Sequence, residues 1–374
     1  MRCHLPFLQA LFLTTASALP NTRGQSPPPP FPESTNSTTH DPPVEFTSWK
    51  VLCARSLQLP DDSLLMTWEH YSPEPPAVSF PVYKSTDGGA SWTPFSNIQD
   101  TINGWGFRYN PVLFELPQDI GEYAAGTILA AGESLPADFS EAWIDFYAST
   151  DGGVNWEFVS HVAYGPGNNA RAQKLVHVTS ADVKTWSEAV EDVAHNEYEN
   201  RPSMPIVACI DSINSYIMTY EVCGPPGCAA YYKVSPSPLG FNKVGESPLV
   251  SNSGIALYGS PYVIHTTNPA DGTDLIIASY HSQEPLYLND DSANPDTWKM
   301  VNIGQWAAYS RELRIINVQG TPKLMLSNGG NMGDTENNYV CNGVVAVPIE
   351  RKSKLWSGIP AQVYDEDVQK GLTE

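Results

Sequence analysis

Apolar residues in this chain come in short alternating runs the length of a β-strand. Five stretches read as a strand, a turn built from Pro, Asp, Gly or Asn, and a second strand. They are "RSLQLPDDSLLMTWEHY" (55–71), "PVLFELPQDIGEYAAGTILAAGES" (111–134), "PIVACIDSINSYIMTYE" (205–221), "YVIHTTNPADGTDLIIASYH" (262–281) and "LRIINVQGTPKLMLSNGG" (313–330). Period-two alternation broken by turn residues predicts antiparallel hairpins, and their regular recurrence predicts a repeated all-β architecture.

A second repeat lies between these hairpins. "STDGGASW" at 85–92 returns as "STDGGVNW" at 149–156. In each copy a serine and an aspartate (Asp87, Asp151) can accept bonds from nearby backbone N–H groups. Two glycines permit positive φ, and a tryptophan (Trp92, Trp156) supplies an apolar plate to hold the turn on its sheet. The octapeptide predicts a turn stapled by its own side chains, a structural element and not a catalytic one. Aromatics that close such second hairpins fall at Trp92, Trp156, Trp186, Phe241, Trp298 and Trp356, the last three in weaker matches. Their spacings are 64, 30, 55, 57 and 58 residues. Thirty residues cannot hold four strands of ~5–6 residues with their turns. A first hairpin is therefore missing from the third unit, at "PGNNARAQ" between "VSHVAYG" and "KLVHVTS".

The pattern S-x-D-x-G-x-x-W matches the Asp box (BNR repeat) of sialidase-like β-propellers. The expected fold is a six-bladed propeller with an incomplete third blade, formed as one domain from residue 45 to 374. "SLLMTWEHYSPEPP", "DTINGWGFRYNP", "QKLVHVTSADVKTW" and "RPSMPIVACIDSINSYIMTYEVCG" further resemble the fungal and bacterial propeller hydrolases related to exo-acting arabinanases. That resemblance implies a retaining mechanism in which one glutamate attacks the anomeric carbon and a second protonates the departing oxygen. It places the nucleophile at Glu221 in "MTYEVCG"; read without it, Glu221 is a solvated carboxylate at a strand end. The family's general acid sits in a Trp-Glu-Pro stretch opening the third blade, and that stretch is absent. Glu157 in "NWEFV" follows the turn tryptophan and is not its equivalent. Loss of a general acid removes typically 10²–10⁴ in rate, so the resemblance implies an impaired glycosidase. A sialidase and a carbohydrate-binding propeller without turnover are the alternatives.

Arg55, Arg108, Arg201, Tyr309 and Arg311 stand at the starts of successive first hairpins. They are expected to ring a substrate pocket, with Trp105 stacking on a sugar face. A sialidase would use Arg55, Arg201 and Arg311 around a carboxylate, although "ARSLQL" stands where such enzymes carry Arg-Ile-Pro.

Charge and composition narrow the partners. Lys and Arg number 20 against 41 Asp and Glu, a net charge of −21, which argues against nucleic acid or an anionic membrane. Residues 1–18, with Arg2, "LPFLQALFL" and "ASA", read as a secretory signal. Residues 19–44 read as a Pro/Ser/Thr-rich linker carrying the sequon at Asn36. A secreted, extracellular monomer acting on a carbohydrate such as plant arabinan is expected. In that oxidising compartment Cys223 and Cys228, flanking a Pro-Gly turn in "CGPPGC", are the expected disulfide. No histidine or cysteine spacing suggests a metal, and no cofactor motif is present.

Overall fold

The computed structural model describes residues 8–9, 35–40 and 50–347, less 72–78, 137, 139, 164–172, 196–199, 225–226, 268–271, 282–283, 306–307 and 331–339. "PGNNARAQ" falls largely, and Trp356 wholly, outside the described residues.

The folded part is an all-β propeller of antiparallel sheets. The first sheet is β3 (Lys50–Gln58), β4 (Leu64–Tyr71), β5 (Phe80–Ser85) and β6 (Thr93–Ile98), paired in chain order. The second is β7 (Phe107–Glu115), β8 (Ile128–Ser134), β9 (Trp143–Ser149) and β10 (Glu157–Ala163). After the third position come β14 (Arg201–Ile210), β15 (Ser215–Gly224), β16 (Gly227–Ser235) and β17 (Ser247–Pro248). These are followed by β18 (Tyr262–Thr267), β19 (Asp274–Ser279), β20 (Leu286–Asn289) and β21 (Lys299–Val301). The last sheet takes β22 (Glu312–Val318), β23 (Thr321–Asn328) and β24 (Val340–Ala346) from the end of the described chain. Its fourth strand is β2 (Thr35–His40), which pairs with β24.

Two expectations are corrected here. Among the described residues there are five four-stranded sheets, not six. The third position holds only β11 (Lys174–His177) paired with β13 (Val190–Ala194). Ten residues separate β10 from β11, too few for a hairpin of two strands. The linker reading of 19–44 also fails over Thr35–His40, which is a strand with Asn36 in register with Gly343. This pairing covers the outer edge of β24 with a strand from far earlier in the chain. Two residues of the expected signal, β1 (Leu8–Gln9), pair with β12 (Thr179–Ser180).

Apolar faces meet between neighbouring sheets, as the alternation requires. Leu65, Val82, Phe107 and Tyr147 form one such layer between the first two sheets. Leu175 and Val193 of the short sheet pack on Tyr216, Met218 and Tyr220 of β15. The half-blade is thus cemented to its neighbour by the same kind of contact as a full one.

The octapeptide turns lie between β5 and β6 and between β9 and β10. Ser85 donates to Asp87 (2.8 Å) and accepts from Gly89 N–H (2.9 Å), and Ser149, Asp151 and Gly153 repeat both bonds at 2.8 Å. Gly88 and Gly89 have φ of 71° and 87°. The indole N–H of Trp156 reaches back to Ser96 Oγ (3.1 Å), and that of Trp92 to Asn342 Oδ1 (2.8 Å). Each tryptophan therefore ties its sheet to the preceding one. A third, degenerate copy behaves alike: Trp186 donates to Ser160 Oγ (3.1 Å), with Val183 at φ 62°.

Candidate active site

The turns mark one end of the molecule. At the other end the second strand of each sheet finishes and the innermost strand begins, and buried carboxylates gather there. The ladders pair Leu64 with Ser85, Ile128 with Ser149 and Tyr216 with Ser235. Five residues beyond each of these positions stand Glu69, Glu133 and Glu221, exposed by only 3%, 4% and 4%. They occupy one equivalent place on three sheets. Strand alternation turns each toward the following sheet.

Glu221 is held at both oxygens. Oε1 accepts from the Ser203 hydroxyl (2.7 Å) and Oε2 from the Ser260 backbone N–H (2.5 Å). Burial pushes its carboxyl up, while the two bonds and the Arg201 charge oppose that shift. Cys223, two residues on, is bonded to Cys228, so the expected disulfide closes the hairpin tip beside Glu221. Cys53 and Cys341 are free thiols.

Sequence reasoning missed the second carboxylate cluster. Asn110 bridges it, its N–H donating to Glu69 Oε2 (2.7 Å) and its amide to Glu133 Oε1 (2.8 Å). Burial, reinforced by the neighbouring Glu133 charge, raises Glu69 to about 7. On β22, Glu312 Oε2 accepts from Ser56 N–H (2.8 Å) and its hydroxyl (2.6 Å). A signal for Glu69, Glu133 and Glu221 was present: "TWE", "AGE" and "TYE" recur near the ends of the second strands of three hairpins.

The expected pocket residues all fall at this end, in different environments. The Arg55 guanidinium donates to Ala54 O (2.9 Å), Ser310 O (3.0 Å) and Ser310 Oγ (2.6 Å), and lies over the Tyr262 ring at 5.2 Å. Arg311 is wholly buried, directed at the Glu284 and Pro285 carbonyls (3.4–3.5 Å), and burial lowers it to about 10. Arg108 is buried with Nε donating to Leu135 O (3.3 Å). Arg201 is half-buried opposite Cys223 and acts electrostatically on Glu221. Tyr309, half-buried, meets His281 edge to face at 5.2 Å. Trp105 is half-buried and tilted against Trp143 at 4.9 Å. Among the described residues, the one group of three metal-ligand side chains that converge is Glu221, Cys223 and Cys228, and both sulfurs are in the disulfide.

A buried carboxylate held at both oxygens by protein donors has the fixed direction that a nucleophilic carboxylate needs. Comparison with solved structures identifies the family. The GH93 α-L-arabinofuranosidase of Fusarium graminearum, solved with arabinobiose, is 35% identical with a TM-score of 0.76, over 83% of this chain and 97% of that one. This chain belongs to the GH93 family. The α-L-arabinanase of Penicillium chrysogenum, also solved with arabinobiose, is 33% identical over 84% of this GH93 chain and 99% of its own (TM-score 0.76). The NanB sialidase of Streptococcus pneumoniae shares the fold at 8% identity, covering 83% of this chain and 70% of its own (TM-score 0.54). No model of a known protein family matches the chain, and no curated protein does.

Proposed function

We propose that this GH93 chain is a secreted, monomeric propeller directed at arabinan chains, with Glu221 as its nucleophile and its hydrolysis impaired. The observation that carries the reading is Glu221 itself. It is buried and held at both oxygens, in a chain whose relatives at 33–35% identity are solved with arabinobiose. The short third sheet supports the impairment, because the resemblance places the acid in the hairpin that ten residues cannot form. The sialidase alternative is disfavoured, since Arg55 and Arg311 direct their guanidinium groups at carbonyl and hydroxyl groups of the protein.

A glycosidase without its acid still attacks a substrate whose leaving group needs no proton. With a dinitrophenyl α-L-arabinofuranoside, a Glu221 oxygen bonds to the anomeric carbon as the bond from that carbon to the aryloxy oxygen breaks and dinitrophenolate departs with the electron pair. The ester then persists, because no acid/base residue activates the water that would cleave it. Intact-protein mass spectrometry should show one added pentosyl group, mapped to Glu221 and absent in Glu221→Gln. Arabino-oligosaccharides should bind in calorimetry and be cleaved slowly or not at all. Rapid arabinobiose release would overturn the impairment, and absence of any adduct would overturn the role of Glu221.

A further inference from the structure

The innermost strands share a backbone feature that the family resemblance did not point to. Opposite the second strand, Arg55 pairs with Thr67, Ile206 with Thr219, Tyr262 with Ser279 and Glu312 with Ser327, and Val112 pairs with Ala131. Two residues before these positions stand Cys53, Met204, Ser260, Ser310 and Asn110. Four of them have left-handed φ: Cys53 49°, Met204 52°, Ser310 53° and Asn110 55°. In the fifth, the left-handed residue is moved one place back, to Gly259 at 75°. This corner aims a backbone N–H at the preceding sheet's carboxylate: Asn110 N–H at Glu69 and Ser260 N–H at Glu221.

Gly259 cannot be exchanged for another residue without movement. A Cβ there would lie 2.5 Å from His281 Cβ, in a conformation that side chains rarely adopt. Its own N–H donates to Cys228 O (2.6 Å), anchoring the corner to the disulfide-closed tip that follows Glu221.

We infer that Gly259 and Ser203 are positioning residues for the Glu221 nucleophile: the Gly259 corner aims the Ser260 N–H at one oxygen, and the Ser203 hydroxyl holds the other. This rests on the proposed role of Glu221. Neither residue touches substrate in this scheme. Both fix the direction of the attacking oxygen and stabilise its ionised form.

The test follows formation of the pentosyl adduct with the dinitrophenyl arabinofuranoside across pH, in the full-length protein, with Gly259→Ala and Ser203→Ala. Each variant should form it at least ~10-fold more slowly, since small misplacements of a reacting group cost up to 10²-fold. Each also loses a bond that favours the carboxylate, so the acid limb of the rate profile should move to higher pH. Ser203→Thr, which keeps the hydroxyl, should restore rate and profile. Gly259→Ala with His281→Gly, which removes the opposing Cβ, should recover much of the loss. If wild type forms no adduct, the role of Glu221 falls. If wild type reacts and Ser203→Ala matches it in rate and pH profile, the positioning role falls, whether or not Gly259→Ala folds.

Discussion

At the scale of single residues, several carboxylates are buried, Glu69, Asp145 and Glu221 among them. Asp145 on β9 is fully buried, and burial with the Asp100 charge nearby raises it to about 7. The Ser134 hydroxyl lies beside it and opposes the shift, yet neither oxygen completes a hydrogen bond. A carboxyl raised in the folded state favours folding while protonated. The fold is thus penalised progressively as pH rises from the ordinary range near 4 through about 7. Asp145→Asn should therefore stabilise the protein at pH 8 by about 1–3 kcal/mol and much less at pH 4. Thermal unfolding of both proteins at the two pH values checks this. Asp145 sits in "WIDFYAS", where alternation alone leaves its burial unreadable.

At the scale of elements, the turn and the site occupy opposite ends of the same sheets, so they should fail independently. Ser149 is 1% exposed and serves both as donor to Asp151 and acceptor from Gly153. Ser149→Ala should cost about 1–2 kcal/mol, the penalty of an unsatisfied buried donor. Arabinobiose affinity, measured by calorimetry, should be unchanged. The hairpins and their turns were legible because their signals are local: alternation, turn residues, and serine and aspartate at fixed offsets. The repeated glutamate at the end of three second strands was equally local, and aligning the hairpins exposes it. Left-handed corners at Cys53, Asn110, Met204 and Ser310 carry no such mark, since none is a glycine.

At the scale of the whole molecule, the ring depends on strand pairing between distant parts of the chain. β2 covers the edge of β24 from some three hundred residues away. Trimming the chain to residues 41–374 should leave that edge open and lower the melting temperature by about 5 °C or more relative to 19–374. Scanning calorimetry of the two forms measures it. If 19–374 melts with the full chain, the pairing of Leu8–Gln9 adds nothing to stability.

What the sequence determined alone is the repeat: strands, turns, the order of the sheets and the shortage in the third, together with the disulfide. These follow from periodicities and spacings of a few residues, which local backbone and side-chain chemistry read directly. The tertiary structure decided the rest. It joined Ser203, Glu221 and Ser260 from two sheets, bridged Glu69 to Glu133 through Asn110, and turned a Ser/Thr-rich segment into an edge strand. It also committed Arg55 and Arg311 to contacts within the protein. Those outcomes depend on which sheet faces which, and that is set by burial of apolar faces across the whole ring and by no single stretch of the chain.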